Sequence, residues 1–283
     1  MESKKDRRLT LFFTVTLAWT WIFGFIPVFL GIEGTSLGTF LFYFGGGAPS
    51  VTALFIVFLT YTKEERKDYF KRCFSFKYMG WKWPLLTALF FILISVIGLF
   101  ISVRVMGCDM PGMDLIFAAA KNPLYIPLIL LITLVSGPLN EEFGWRGFAL
   151  DRLFIKYGFM PASLLLGFVW AIWHAAWYFT PGQAQYELLK TSLLDAFLCV
   201  PSVVLLGVVV SFVYVKTNRS ILAGALVHMM ANLFNSQLLS PYSSEVSSVI
   251  RITKMVFCLL VAFYCIFSER FKSEYKNCLC NMM

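Results

Sequence analysis

The chain of 283 residues is 59% hydrophobic and only 14% charged, whereas soluble domains carry about a quarter charged residues. Its polar residues could not cover the surface of a water-soluble globule, so the composition excludes a soluble enzyme and indicates a protein that lies in lipid. The net charge of +8 is compatible with nucleic-acid binding, but the basic residues lie almost wholly between long apolar runs. That distribution is typical of membrane topology, so we expect no nucleic-acid partner.

Eight apolar segments approach or exceed the roughly 20 helical residues that cross a bilayer. They are expected near residues 9–31, 37–61, 83–103, 123–150, 160–180, 195–215, 220–239 and 253–268. The first segment follows a basic stretch, as a signal peptide would, but it is too long and no cleavage site follows it. The sequence therefore predicts an all-α, polytopic helical bundle of about eight transmembrane helices. Residues 1–283 are expected to form a single transmembrane domain.

The lysines and arginines predict the orientation of these spans, because basic residues accumulate on the cytoplasmic side. Eighteen of the 24 fall in the amino-terminal tail and in the loops and tail that would share its side, and Arg146 lies within a span. The opposite side receives Arg104, Lys121, Lys190, Arg251 and Lys254. We therefore expect a multi-pass cell-membrane protein in contact with membrane lipid, with both termini cytoplasmic.

Two local features modify this outline. The cytoplasmic loop 63–82 interleaves basic and aromatic residues, which suits either a helix in the headgroup layer or a solvated loop with interfacial anchors. The second span contains three consecutive glycines, residues 45–47, followed by Pro49, which should loosen or kink it.

Ionisable side chains inside a span are costly, at about 3 kcal/mol each even on insertion scales, and this chain contains few. Glu141, Glu142 and Arg146 lie in the fourth segment, His174 in the fifth and His228 in the seventh. Both histidines of the chain are thus within predicted spans. Three helices could bring polar groups together into a pocket inside the bilayer.

The spacing within the fourth segment suggests different roles for its three charged residues. Glu142 and Arg146 are four residues apart, on one face of a helix, and can pair to lower the cost of their burial. Glu141 points about 100° away from Glu142, so its carboxyl group can face a cavity.

The same four-residue spacing recurs in the other two spans. His228 and Asn232 present two hydrogen-bonding groups on one side of the seventh span. Trp170 and His174 place an indole next to an imidazole in the fifth.

Two other interpretations of these polar residues do not involve a peptidase. Polar residues can merely hold helices together, although Ser and Thr would do so at lower cost. Buried Glu and His residues also suit a membrane transporter or proton relay, but no paired half-repeats are visible in the sequence.

Three motifs in these spans resemble those of one protease family. They are EExxxR in residues 141–146, FxxxH in residues 170–174 with Trp170 in the Phe position, and HxxxN in residues 228–232. In this order, all within residues 138–236, they resemble the motifs of the type II CAAX prenyl endopeptidases and their prokaryotic relatives, the wider CPBP (CAAX protease and bacteriocin-processing) or ABI family.

The resemblance implies an eight-span intramembrane endopeptidase of the glutamate type, which cleaves peptide or protein substrates near the cytoplasmic leaflet, most readily those with a prenylated C-terminus. Glu141 is then expected to be the general base, with His174 holding the same water. His228 and Asn232 are expected to donate hydrogen bonds to the oxyanion. Glu142 and Arg146 would support the helix that carries Glu141.

This assignment uses no metal and no cofactor, and zinc is the alternative. Glu141, His174 and His228 could bind one zinc ion with a water in the fourth position. The metal-free site is favoured because the family resemblance leans that way and the chain contains no HExxH motif.

Overall fold

The computed structural model describes residues 4–234, 238, 244–280 and 282, and it is helical with no β-strand in that part of the chain. The helices are α1 (Lys4–Leu30), α2 (Ser36–Gly46), α3 (Ala48–Thr60), α4 (Lys63–Phe74), α5 (Phe76–Met79), α6 (Lys82–Phe100), α7 (Asp114–Lys121), α8 (Tyr125–Ser136), α9 (Pro138–Gly144), α10 (Asp151–Tyr157), α11 (Phe159–Trp173), α12 (Ala184–Thr191), α13 (Leu193–Lys216), α14 (Ile221–Asn232), α15 (Ser244–Phe267) and α16 (Glu269–Cys280). Two π-helical stretches, Ile101–Val105 and Trp145–Leu150, and a 3-10 turn, His174–Tyr178, extend or join them. The predicted all-α fold class is confirmed.

Most of the predicted spans are continuous helices. In the described part of the chain, five helical runs are long and apolar enough to cross a membrane: Arg7–Leu30, Lys82–Val105, Phe159–Tyr178, Leu193–Lys216 and Glu245–Phe267. Two helix pairs pass the same test when each is taken as one bent span: α2 with α3 at 51°, and α8 with the helix from Pro138 to Tyr157 at 44°. The shorter apolar helix α14 covers the start of the predicted seventh segment, the rest of which lies mainly outside the described residues. The polytopic membrane bundle is confirmed.

Both bends follow from glycine and proline. The expected kink in the second span occurs at Gly47, just before Pro49 in the first turn of α3. The fourth span breaks at Gly137, and Pro138 then begins α9. Proline lacks an amide hydrogen and so starts a helix more readily than it continues one. The sequence predicted the first of these breaks but not the second.

The two bent spans pack closely against each other beyond their breaks. The hydroxyl of Ser50 in α3 donates to the carbonyl of Leu139 in α9 at 2.8 Å. At Gly144 the two backbones are so close that an added methyl group would lie 2.4 Å from the carbonyl oxygen of Pro49. This contact places α9, which carries Glu141, against the rigid start of α3.

The last span begins earlier than predicted. Helix α15 starts at Ser244, so Arg251 and Lys254 lie within the helix and not in an external loop. Arg251 forms an ion pair with Asp195 of α13, with 2.7 Å between Nη1 and Oδ1. The sequence-based boundary was wrong here because the pairing that stabilises a charge inside the bundle involves a distant helix.

Part of the loop 63–82 packs against the bundle, and part of it is exposed on the surface. Its first half is α4, which begins with a reciprocal capping box between Thr62 and Glu65. Tyr69 of α4 is fully buried against the bundle, whereas Phe76 and Trp81 are among its exposed aromatic residues. The interfacial anchors predicted for this loop therefore lie mainly after α4, and α4 itself packs inward.

Candidate active site

Two helices bring three predicted site residues to one point beside Gly137, at the break of the fourth span. A methyl group added to Gly137 would lie 3.4 Å from Oε1 of Glu141, 3.6 Å from Nδ2 of Asn232 and 4.0 Å from Nε2 of His228. These atoms come from α9 and α14, which are distant in sequence. The convergence creates a small space with an acceptor on one side and nitrogen atoms on the other.

The carboxyl group of Glu141 is buried and held at one of its two oxygens. The indole Nε1 of Trp170, in α11, donates to Oε2 of Glu141 at 2.6 Å. Trp170 is 2% exposed, and the guanidinium of Arg146 lies over its ring, 4.8 Å from the centroid. Trp170 therefore contacts both Glu141 and Arg146, which lies five residues after Glu141.

Glu142 is fully buried, and one of its carboxylate oxygens contacts two side chains. Its Oε1 accepts a hydrogen bond from Nη1 of Arg146 at 2.9 Å, as the four-residue spacing predicts. The same oxygen lies 3.0 Å from Nδ1 of His228. A carboxylate oxygen can only accept, so Nδ1 of His228 carries a proton and its Nε2 is left for the space beside Gly137.

His174 directly follows the last residue of α11 and packs among tryptophan side chains. Its Nδ1 is 2.8 Å from the carbonyl oxygen of Trp170, so Nδ1 must donate and a neutral ring has an acceptor at Nε2. Its ring centroid is 4.7 Å from that of Trp173 and 5.5 Å from that of Trp177. Its carbonyl partner and these rings fix the orientation of the imidazole.

A cavity of about 70 Å³ adjoins these groups. Glu141, His174 and Gly137 line it, together with Phe42 and Tyr43 from α2. His228 and Asn232 are not part of its wall but lie beside Gly137. The cavity is large enough for a few water molecules, which a hydrolytic reaction requires.

A second cavity of about 280 Å³ shares Phe42 and Tyr43 with the first. We call it the vestibule. It extends to Glu33, in the turn between α1 and α2, and to Gln183, before α12. The first cavity thus leads toward the end of the bundle where α1 finishes, and the two spaces follow one another along one face of α2.

The vestibule lies at the end of the bundle opposite the basic loops. Trp173 donates to Oγ1 of Thr20 at 2.6 Å, and Thr20 lies slightly past the middle of the span Arg7–Leu30. The site thus lies near the middle of that span, and its opening faces away from the amino-terminal end of α1. If the termini are cytoplasmic, the vestibule faces outward, which differs from a site that opens at the cytoplasmic leaflet.

The possible metal ligands do not form a compact set. Among the residues that the structure describes, no three His, Cys, Asp or Glu side chains are placed to hold a metal ion. The alternative zinc ligands Glu141, His174 and His228 surround the reaction space without closing on one point in this conformation. Chelation of the purified protein tests metal dependence directly.

Three contacts in the site were not predicted from the sequence. One is the bond from Trp170 to Glu141, for which the only signal was an indole in the Phe position of the second motif. Another is the convergence on Gly137, whose signal was the Gly-Pro pair before Glu141. The link between Glu142 and His228 had no local signal, because 86 positions separate the two residues.

Comparison with known proteins bears on the same part of the chain. A family model described as type II CAAX prenyl endopeptidase Rce1-like matches residues 123–234, the range that contains all six predicted site residues. The chain is also 27% identical over 236 residues to CAAX prenyl protease 2 of Methanococcus maripaludis, covering 81% of this chain and 84% of that protein.

Proposed function

We propose that this chain is a member of the type II CAAX prenyl endopeptidase family, which it resembles over residues 123–234, and that it hydrolyses peptide bonds within the bilayer by means of a water activated by Glu141. One observation carries this proposal. Glu141, His228 and Asn232 present an acceptor and two nitrogen atoms around a single small space beside Gly137. Peptide hydrolysis requires this combination, because a base must take a proton from water while donors stabilise the oxyanion.

The attacking water lies between Glu141 and His174 in this mechanism. Glu141 accepts one proton from the water as its oxygen bonds to the scissile carbonyl carbon. His174 accepts a hydrogen bond from the same water at Nε2, since its Nδ1 donates to the carbonyl of Trp170. The bond from Trp170 holds Oε2 of Glu141, so that Oε1 is directed to the reaction space. When the tetrahedral intermediate collapses, Glu141 returns the proton to the leaving amine.

The oxyanion is stabilised by His228 and Asn232. The amide nitrogen of Asn232 is a donor in any state, but Nε2 of His228 donates only when the ring also carries a proton there. Its Nδ1 already donates to Glu142, so this role requires a proton on both ring nitrogens. The carboxylate of Glu142 fixes the orientation of that ring through Nδ1, which gives Glu142 a role beyond pairing with Arg146.

The proposed substrates are peptides or proteins with a prenylated C-terminus. A lipid-anchored substrate reaches a mid-bilayer site along the membrane, and the polypeptide then has to enter a polar cavity. The outer surface of the bundle supports this, because apolar residues such as Phe40 and Phe44 of α2 are exposed next to the cavity wall. The isoprenoid stays in lipid while the peptide occupies the cavity and vestibule.

The direct test uses purified protein and a fluorogenic peptide with a farnesylated CAAX end. Its matched control is the same peptide without the farnesyl group. We expect cleavage of the farnesylated peptide, weak cleavage of the control, and none of either by Glu141→Gln. Equal cleavage of both peptides would refute the prenyl preference, and an active Glu141→Gln would refute the general base.

A further inference from the structure

A hydroxyl from outside residues 123–234, the range that the family model matches, reaches the helix that carries Glu141. Tyr69 of α4 is fully buried, and its OH donates to the backbone carbonyl of Phe143 at 2.7 Å. Phe143 lies two residues after Glu141, on the same short helix. None of the three motifs includes Tyr69, and it lies in the loop that the sequence placed at the membrane surface.

The bond falls where the catalytic helix changes its hydrogen-bonding register. Residues Trp145–Leu150 form a π-helical stretch, in which amides bond to carbonyls five residues back instead of four. In such a register change the carbonyls pass from one backbone amide to another, and an unpaired backbone group within a membrane protein is costly. The hydroxyl of Tyr69 gives the carbonyl of Phe143 a partner that does not depend on the register.

A second contact fixes the same side of the helix. A methyl group added to Gly147 would lie 3.0 Å from a ring carbon of Tyr69 and 3.1 Å from its hydroxyl. The ring therefore rests on the backbone of Gly147, within the π-helical stretch, while its hydroxyl holds Phe143 before it. Phe74, also on α4, packs edge-on against Phe143 with 5.6 Å between centroids.

Hydrogen bonds and an ion pair connect α4 to other helices of the bundle. Nη1 of Arg72 donates to the hydroxyl of Tyr214 at 2.8 Å, and that hydroxyl donates to Asp151 at 2.8 Å. Asp151 also pairs with Arg219, in the turn before α14. This network joins α4 to α10, α13 and the start of the helix that carries His228.

We propose that Tyr69 is a positioning residue that sets the rotation and height of Glu141 through the carbonyl of Phe143. The proposal rests on the proposed function, since the general base is the group that Tyr69 positions. Small displacements of a catalytic group have large kinetic effects, and a shift of about 1 Å can lower a rate about a hundredfold.

The test compares two tyrosines that make the same kind of bond. Tyr69→Phe removes the hydroxyl that donates to the carbonyl of Phe143, two residues after Glu141. Tyr275→Phe removes a hydroxyl that donates at 3.1 Å to the carbonyl of Phe154, thirteen residues beyond Glu141 on the same helical run. We expect kcat to fall tenfold or more in Tyr69→Phe with KM unchanged, and to stay within twofold of the wild type in Tyr275→Phe. Equal kcat values in the two variants would overturn the proposal.

A second measurement does not depend on catalysis. Asn140 lines the catalytic cavity one residue before Glu141, and Asn140→Cys can be labelled there with a small maleimide. We expect the labelling rate to change at least threefold when Tyr69→Phe is added and not when Tyr275→Phe is added. An unchanged rate would show that the helix has not moved and would reject the positioning role, even if Glu141→Gln had confirmed the general base.

Discussion

The indole nitrogen of Trp170 donates to Oε2 of Glu141 at 2.6 Å, and both side chains are buried. The bond leaves Oε1 as the oxygen directed to the space beside Gly137. Phenylalanine, which the second motif of the family has at this position, could not form it. Trp170 thus gives this chain a means of orienting its carboxylate that the motif itself does not supply.

The first prediction is that Trp170→Phe lowers kcat about tenfold and leaves KM nearly unchanged. The ring remains to fill the core beneath Arg146, but the carboxylate loses a donor and can rotate. Steady-state kinetics with the farnesylated peptide provide the measurement. Trp19→Phe is the control, because the indole nitrogen of Trp19 has no hydrogen-bond partner in the described part of the chain. Wild-type kcat in Trp170→Phe would show that this bond does not orient the base.

The second prediction concerns Asn232. Asn232→Ala removes an amide donor next to the reaction space, and loss of one oxyanion donor typically lowers kcat about 10²–10³-fold. KM should change little, because the interaction strengthens only as the charge develops. Single-turnover kinetics measure the chemical step directly. A variant with raised KM and normal kcat would assign Asn232 to substrate binding.

The third prediction concerns the pair of Glu142 and Arg146. Arg146→Ala breaks a fully buried ion pair, a change that commonly costs about 3–5 kcal/mol, so the melting temperature in detergent should fall. The double change Glu142→Gln with Arg146→Gln should recover part of this loss, because neither residue then needs a charged partner.

Activity should not return in that double variant, because an amide has one acceptor oxygen where the carboxylate of Glu142 has two and orients the ring of His228 less firmly. Thermal melts and kcat are measured on the same preparations. An active double variant would show that His228 does not need a carboxylate.

The fourth prediction is that activity is independent of metal. Exhaustive chelation should leave kcat within twofold of its starting value, and elemental analysis should find well below one ion per chain. Stoichiometric zinc, with activity lost on its removal and restored on its return, would support coordination by Glu141, His174 and His228.

The fifth prediction concerns the membrane face of the vestibule. Single cysteines at Pro181, beside the vestibule, and at Lys67, on the exposed side of α4, are labelled in intact cells with an impermeant maleimide. A Cys280→Ser background removes the exposed native thiol. The charge distribution predicts labelling at position 181 and protection at position 67.

The reverse pattern would place the vestibule in the cytoplasm, where it would receive cytoplasmic prenylated chains directly. Labelling at position 181 would instead require such chains to reach the site through the bilayer. The experiment therefore separates the orientation inferred from charge from the leaflet implied by the family.

Local sequence patterns predicted the parts of this protein that depend on neighbouring residues. Apolar runs predicted the membrane spans, and the four-residue spacing predicted the ion pair of Glu142 and Arg146. Such patterns could not predict contacts between helices that are distant in sequence. The bond from Trp170 to Glu141 depends on how α11 rotates against α9, and the early start of α15 depends on Asp195 pairing with Arg251.

The position of the catalytic cavity near Thr20 has a consequence for the supply of the second reactant. Each hydrolysis consumes one water, yet the site lies where the surrounding lipid contains almost none. Tyr43 lines both the vestibule and the cavity at Glu141, so the path that we propose for the peptide would also supply water from the side of Glu33. Gly46 lines the cavity at Glu141 and has no side chain that would narrow it.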